Sequence, residues 1–124
     1  MRATASDELE SIAGFLHDRW FDLEEVTFDN ARNELHVPFL DRRPGSGRIR
    51  RRLAGRAEAE PQVAGELVVS HVVSYSIDDR AGVQWFDFNW ISYDEQTRRL
   101  SIRSNIPLEV LITVEDLDVS LTIE

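Results

Sequence analysis

Past residue 23 the apolar side chains of this chain recur at every second position. That spacing belongs to an extended strand, whose successive side chains point to opposite faces. Val26 and Phe28 alternate with Glu25, Thr27 and Asp29, and Leu35, Val37 and Phe39 alternate with Glu34, His36 and Pro38. Between the two runs, Asn30-Ala31-Arg32-Asn33 reads as a turn, because asparagine tolerates left-handed backbone and bonds its own main chain. The pair is expected to form a hairpin with one apolar and one polar face. Pro38 has no N–H to give to a ladder, so its strand is expected to lie at a sheet edge or to end there.

The second half continues the pattern. Leu67, Val69, His71, Val73, Tyr75 and Ile77 mark one face of a long strand, and Asp78–Gly82 a turn. Residues 83–93 read as a strand apolar on both faces, Phe86, Phe88 and Trp90 on one, Val83, Trp85 and Ile91 on the other. Such a strand belongs in the centre of a sheet. Asp94–Thr97 turns the chain into Leu100, Ile102, Ser104 and Ile106, and Pro107 breaks that run. Leu108, Val110, Ile112 and Val114 then hold even positions, whereas Leu117, Val119, Leu121 and Ile123 hold odd ones. A change of parity turns a strand over, so Glu115-Asp116 must contain a bulge or a tight turn.

Residues 41–65 show no clear period, and the N-terminus follows a different one. Leu9, Ile12, Ala13, Leu16 and Trp20 recur at three- and four-residue spacing, which predicts a helix over about residues 5–17. Thr4 or Ser6 is expected to cap it, with Asp7, Glu8 and Glu10 near the positive end of its dipole. Gly14 costs such a helix about 1 kcal/mol relative to alanine and leaves room for the close approach of another backbone. The expected fold is α+β, an N-terminal helix packed on a curved antiparallel sheet of six to seven strands. A β-sandwich with one helix is the alternative. The 124 residues make one domain, 1–124, with residues 41–65 as a mobile crossover rich in arginine, glycine, proline and alanine.

Composition bounds the function. The chain has no cysteine, so it has no disulfide framework, thiolate metal site or cysteine nucleophile. All 14 of its basic residues are arginines, and the missing lysine removes Schiff-base chemistry and a phosphate-loop lysine. An arginine-only, cysteine-free chain fits a cytoplasmic bacterial protein of GC-rich codon usage. No apolar run approaches a signal sequence or the ~20 residues that cross a bilayer, so no membrane partner is expected. The net charge of −9 argues against bulk affinity for nucleic acid. That charge is uneven. Residues 1–41 carry −7, residues 42–56 carry +7 and residues 57–124 carry −9. The basic tract, with Arg48, Arg50, Arg51 and Arg52 at its centre, is a candidate phosphate contact. It lacks the interleaved aromatics of a single-strand stacking platform. A loop lying over an acidic surface explains it as well.

Few residues suggest chemistry. His71 falls in the middle of an apolar face, His17 adjoins Asp18 at the helix end, and His36 alternates outward with Glu34. No metal-ligand spacing joins them, so neither metal nor cofactor is expected. Asp87 and Asn89 share the face of Trp85 and Ile91, and a buried carboxyl there would have a raised pKa suited to a general acid. His71, Trp85, Asp87 and Asn89 are therefore the candidate wall of a pocket between helix and sheet. Hydrogen bonds to turns or arginines explain the two polar residues equally well. No catalytic residue is identified.

The stretch FLHDRWFDLEEVTFDNARNELHVPF, about a fifth of the chain, resembles the opening of small bacterial single-domain proteins of uncharacterised function, some grouped with toxin-immunity proteins. The resemblance implies an acidic, single-domain binding protein and transfers no catalytic residue. The expected function is a non-enzymatic protein-binding or accessory module, pairing with itself as a homodimer or with a basic protein. Exposed strand edges and the apolar C-terminal strand, residues 117–124, are the expected dimer interface. A small-ligand or enzymatic pocket, and nucleic-acid contact through the arginine tract, are the alternatives.

Overall fold

A computed structural model describes residues 1–43 and 63–124. The expected basic loop, with Arg48, Arg50, Arg51 and Arg52, lies outside the described residues. The elements in chain order are β1 (Arg2–Ala3), α1 (Ser6–Leu16), β2 (Trp20–Asp22), a short 3-10 turn (Leu23–Glu25), β3 (Thr27–Asp29) and β4 (Glu34–Leu40). After the undescribed segment come β5 (Gly65–Val69), β6 (Val72–Asp79), β7 (Trp85–Asp87), β8 (Trp90–Asp94), β9 (Arg99–Arg103), β10 (Leu108–Val114) and β11 (Val119–Ile123).

The architecture is α+β, with one N-terminal helix packed against antiparallel strands. The strands of the described residues number eleven and divide between two sheets. The first has the order β1-β11-β5-β4-β2-β7, with β3 also paired to β4; the second has the order β6-β10-β9-β8. One apolar core joins them. Phe21, Leu35, Phe39, Leu67 and Phe86 of the first sheet and Leu100, Ile102 and Ile112 of the second are all at most 1% exposed. Leu9, Ile12 and Leu16 of α1 complete that core. The helix packs on β1 and β8, the terminal strands of the two sheets, and so closes one side between them.

The helix begins differently from the sequence expectation. Ala5 is its N-cap, and neither Thr4 nor Ser6 caps it through a hydroxyl. Instead the first-turn Glu8 reaches back, and its carboxylate accepts from both the N–H and the hydroxyl of Thr4 at 3.0 and 3.1 Å. Ser6 donates to Glu95, 3.2 Å away. Gly14 admits no backbone, since a Cβ there would have nothing within 4 Å. The close approach occurs at Gly65, where a Cβ would strike the Thr122 carbonyl oxygen and lie 2.6 Å from the Phe39 ring.

The β3–β4 hairpin forms as expected. Asp29 caps its turn by accepting from the N–H groups of Ala31 and Arg32 at 3.0 and 3.2 Å, and Asn33 takes a φ of 55°. Pro38 is not at an edge, because β4 is paired on both sides. It sits between Val37 and Phe39, where the partner changes from β3 to β2, and a residue without an N–H is tolerated at that gap.

The two long strands of the second half are each broken. The run from Leu67 to Ile77 leaves the first sheet at Ser70-His71, where His71 adopts a φ of 56°, and enters the second as β6. The run 83–93 breaks at Phe88-Asn89. It is an edge strand in both sheets, not a central one: β7 ends the first and β8 ends the second. Phe86 and Phe88 are buried while Trp90 is 57% exposed, because the break turns the stripe over. Glu115–Asp118 makes the return crossing, from β10 to β11, where the change of parity requires it.

Candidate binding surfaces

The four residues expected to line one pocket serve three different places. Asp87 is buried at 5% exposure and ties the two sheets together. Its carboxylate accepts from the Ser104 hydroxyl, from the Asn105 N–H at 3.0 Å and from the Asn105 side-chain amide at 2.7 Å. Ser104 in turn accepts from the N–H groups of Asp87 and Ile106 at 3.1 and 3.2 Å. Burial alone would raise the Asp87 carboxyl. The bonds from Ser104 and Asn105 outweigh it and hold the group below the usual carboxylate range. The lowered carboxyl does not match the raised one expected of a general acid, and the bonds make Asp87 a structural tie between β7 and the β9–β10 turn. Trp85 lies in the same strand, and its buried indole N–H has no acceptor among the described residues.

His71 occupies the β5–β6 corner and is exposed, so it is not a core histidine. Its Nε2 is 3.7 Å from Asp118, whose carboxylate accepts two 2.9 Å bonds from Arg2. Those bonds, opposed by burial, lower the Asp118 carboxyl below its usual value. His17 ends α1, with Nδ1 3.3 Å from Asp18. His36 lies on the outer face of β4, where Glu66 approaches Nδ1 at 3.0 Å and Glu34 approaches Nε2 at 3.1 Å. Burial disfavours charge on this imidazole, but the two carboxylates more than offset it, and His36 titrates above its ordinary value. The three histidines form no common ligand set among the described residues.

Of the expected pocket residues, Asn89 lines a groove. This groove, of about 480 Å³, runs between α1 and β8. Leu9, Ala13 and Gly14 form the helix side, and Trp90, Ile91 and Tyr93 the strand side. The open space over Gly14 and the exposed Trp90 ring are its distinguishing features. The sequence places a pocket between helix and sheet but not Trp90 on its wall, because alternation assigns Trp90 to the Phe86-Phe88 stripe.

The second surface is the free side of β6. This eight-residue strand pairs through one edge with β10, and no described strand covers the other. Val73, Tyr75 and Ile77 are 60%, 42% and 39% exposed. By contrast the C-terminal strand expected to form an interface is core. It pairs with β1 on one side and β5 on the other, and Val119 and Leu121 are 1% and 2% exposed. No helix of the described residues is long and apolar enough to cross a membrane. No protein-family model matches the chain, and neither a curated protein nor a solved structure is found to be similar to it.

Proposed function

We propose that this chain is a non-catalytic protein-binding module that pairs with a second copy of itself along β6. The observation that carries the reading is an eight-residue edge strand with three large apolar side chains exposed and no charge between Val72 and Ile77. Natural edges are normally blunted by charge, proline or cover, because unpaired N–H and C=O groups template further pairing. Here the only charges on the strand are Asp78 and Asp79, at its end. An antiparallel pairing centred on Tyr75 sets Tyr75 against Tyr75 and Val73 against Ile77 of the other copy. Cross-strand apolar pairs of this kind contribute roughly 0.2–1 kcal/mol each. A self-complementary patch closes as a two-fold dimer.

The test is sedimentation across a concentration series. A dimer is expected, strengthened by salt, because each copy carries −9 and the two repel. Tyr75→Lys with Ile77→Lys is expected to give a folded monomer by circular dichroism. A wild-type chain that stays monomeric at high concentration and high salt sinks the reading.

The α1–β8 groove favours a second reading, a site for a small apolar or aromatic molecule. Its volume lies in the range of ordinary ligand sites, roughly 300–1,000 Å³. The chain spends helix stability on Gly14 with no packing contact to account for it. Gly14→Ala is expected to stabilise the protein by about 0.5–1 kcal/mol. Gly14→Leu is expected to fill the groove and abolish any ligand-induced change in tryptophan fluorescence. A ligand screen that leaves the wild-type fluorescence unchanged ends this second reading. The arginine tract supports no assignment. The described residues carry nine arginines against twenty-one acids, the same sign as a phosphate backbone.

A further inference from the structure

We propose that Asp29, Glu34 and His36 bind a divalent transition-metal ion of the zinc or manganese type on the outer face of the β3–β4 hairpin. The hairpin register sets Asp29 directly opposite Glu34, and His36 follows Glu34 on the same face of β4. One ligand atom from each lies within 4.8 Å of the other two. His36 Nε2 and Glu34 Oε1, 3.1 Å apart, already stand at the separation of two ligands on one ion. That separation is about 3 Å for ligands at right angles and metal–ligand bonds near 2.1 Å. All three side chains are half-buried.

Two features beyond the triad point the same way. Glu66, from the separate strand β5, sits 3.0 Å from His36 Nδ1. With Nδ1–H donating to Glu66, Nε2 is left as a lone-pair donor beside Glu34. A carboxylate behind a histidine is the arrangement that orients and strengthens imidazole ligands. Asp29 and Glu34, like charges directly opposed across a hairpin, repel each other. The Arg32 guanidinium is 4.0 Å from Asp29 on a side chain 76% exposed and offsets little of that repulsion. A dication removes it. One imidazole with two carboxylates suits zinc or manganese better than calcium or magnesium, which favour all-oxygen sets. Three protein ligands leave positions for water. The site lies in the first sheet and does not depend on pairing through β6.

The test is a zinc titration of the chelator-stripped protein by calorimetry at pH 7.5, with manganese broadening of the His36 ring resonances as a second readout. One saturable site is expected. Glu34→Gln and Asp29→Asn are each expected to weaken it at least tenfold, with thermal midpoints confirming that both variants fold. Glu66→Gln is expected to weaken it by about 10–100-fold without changing stoichiometry. His17→Gln and His71→Gln are expected to change nothing. The proposal is overturned if no saturable binding occurs, if Glu34→Gln and Asp29→Asn bind like the wild type, or if the His17 or His71 variant removes the signal.

Discussion

Asp87 and His36 are both polar residues in strands whose alternation is otherwise apolar, and the fold gives them opposite environments. Asp87 faces neutral donors, the Ser104 hydroxyl and the Asn105 amides, which satisfy a buried negative charge and join two sheets. His36 faces two carboxylates on a half-open surface, with Asp29 beyond them. The first network is held within the protein, because both Asp87 oxygens accept from fixed donors. The second holds one imidazole among several acids, so its charge balance shifts with pH or with an added cation. A closed network contributes mainly to stability, and an open one leaves chemistry available.

The largest effect that separates the two is expected at the closed one. Asp87→Ala leaves buried donors of Ser104 and Asn105 without an acceptor and is expected to cost about 2–4 kcal/mol in urea unfolding. An unchanged midpoint means that the tie between the sheets does not exist. Asp87→Asn keeps the shape and removes the charge, with an expected cost of about 1–3 kcal/mol at neutral pH. Because the folded Asp87 pKa is depressed, its contribution is complete above the unfolded value of ~3.9 and is lost as pH falls through the lower folded value. The asparagine variant is therefore expected to have a flatter acid limb below about pH 4. An acid limb identical to that of the wild type contradicts the assignment.

His36 has the reverse sign. Its folded pKa is raised, so its contribution is complete below the unfolded value of ~6.5 and is lost as pH climbs through the folded one. Stability is expected to decline as pH rises above about 6.5, by less than about 1 kcal/mol, as for a solvent-exposed ion pair. His36→Gln is expected to flatten that slope, and a slope that survives the substitution belongs to another group. Glu66→Gln is the smallest change. One carboxylate remains at Nε2, and an NMR titration is expected to show the His36 pKa lowered, because Glu66 supplies the larger part of what raises it.

Much of the secondary structure is legible in the sequence. The spacing of Leu9, Ile12 and Leu16 predicts α1 to within a residue at each end, and asparagine and aspartate mark the turn at residues 30–33 and, one residue early, the turn at 95–98. The Glu115-Asp116 discontinuity follows from parity alone. The partition into two sheets is not legible. At Ser70-His71 and Phe88-Asn89 the apolar alternation runs straight through the break, because a change of sheet need not change which residues are apolar. His71 and Trp90 were misplaced for that reason, one assigned to a core face and the other to a buried stripe. The candidate metal ligands were missed differently. Asp29, Glu34 and His36 have no motif spacing, but the signal existed in the hairpin, whose four-residue turn sets residue 29 opposite residue 34.

The sequence by itself determined the element types, the turn positions and the apolar face of most strands, because these depend on backbone preferences and on periodicities spanning a few residues. It also determined the acidic balance. Only the tertiary structure decided which strand edges stay unpaired, which polar residues meet donors and which meet acids. Those outcomes depend on contacts between residues far apart in the chain, as between Asp87 and Asn105 or between His36 and Glu66. A strand's own pattern says which side is apolar, and only its neighbours decide what the polar side faces.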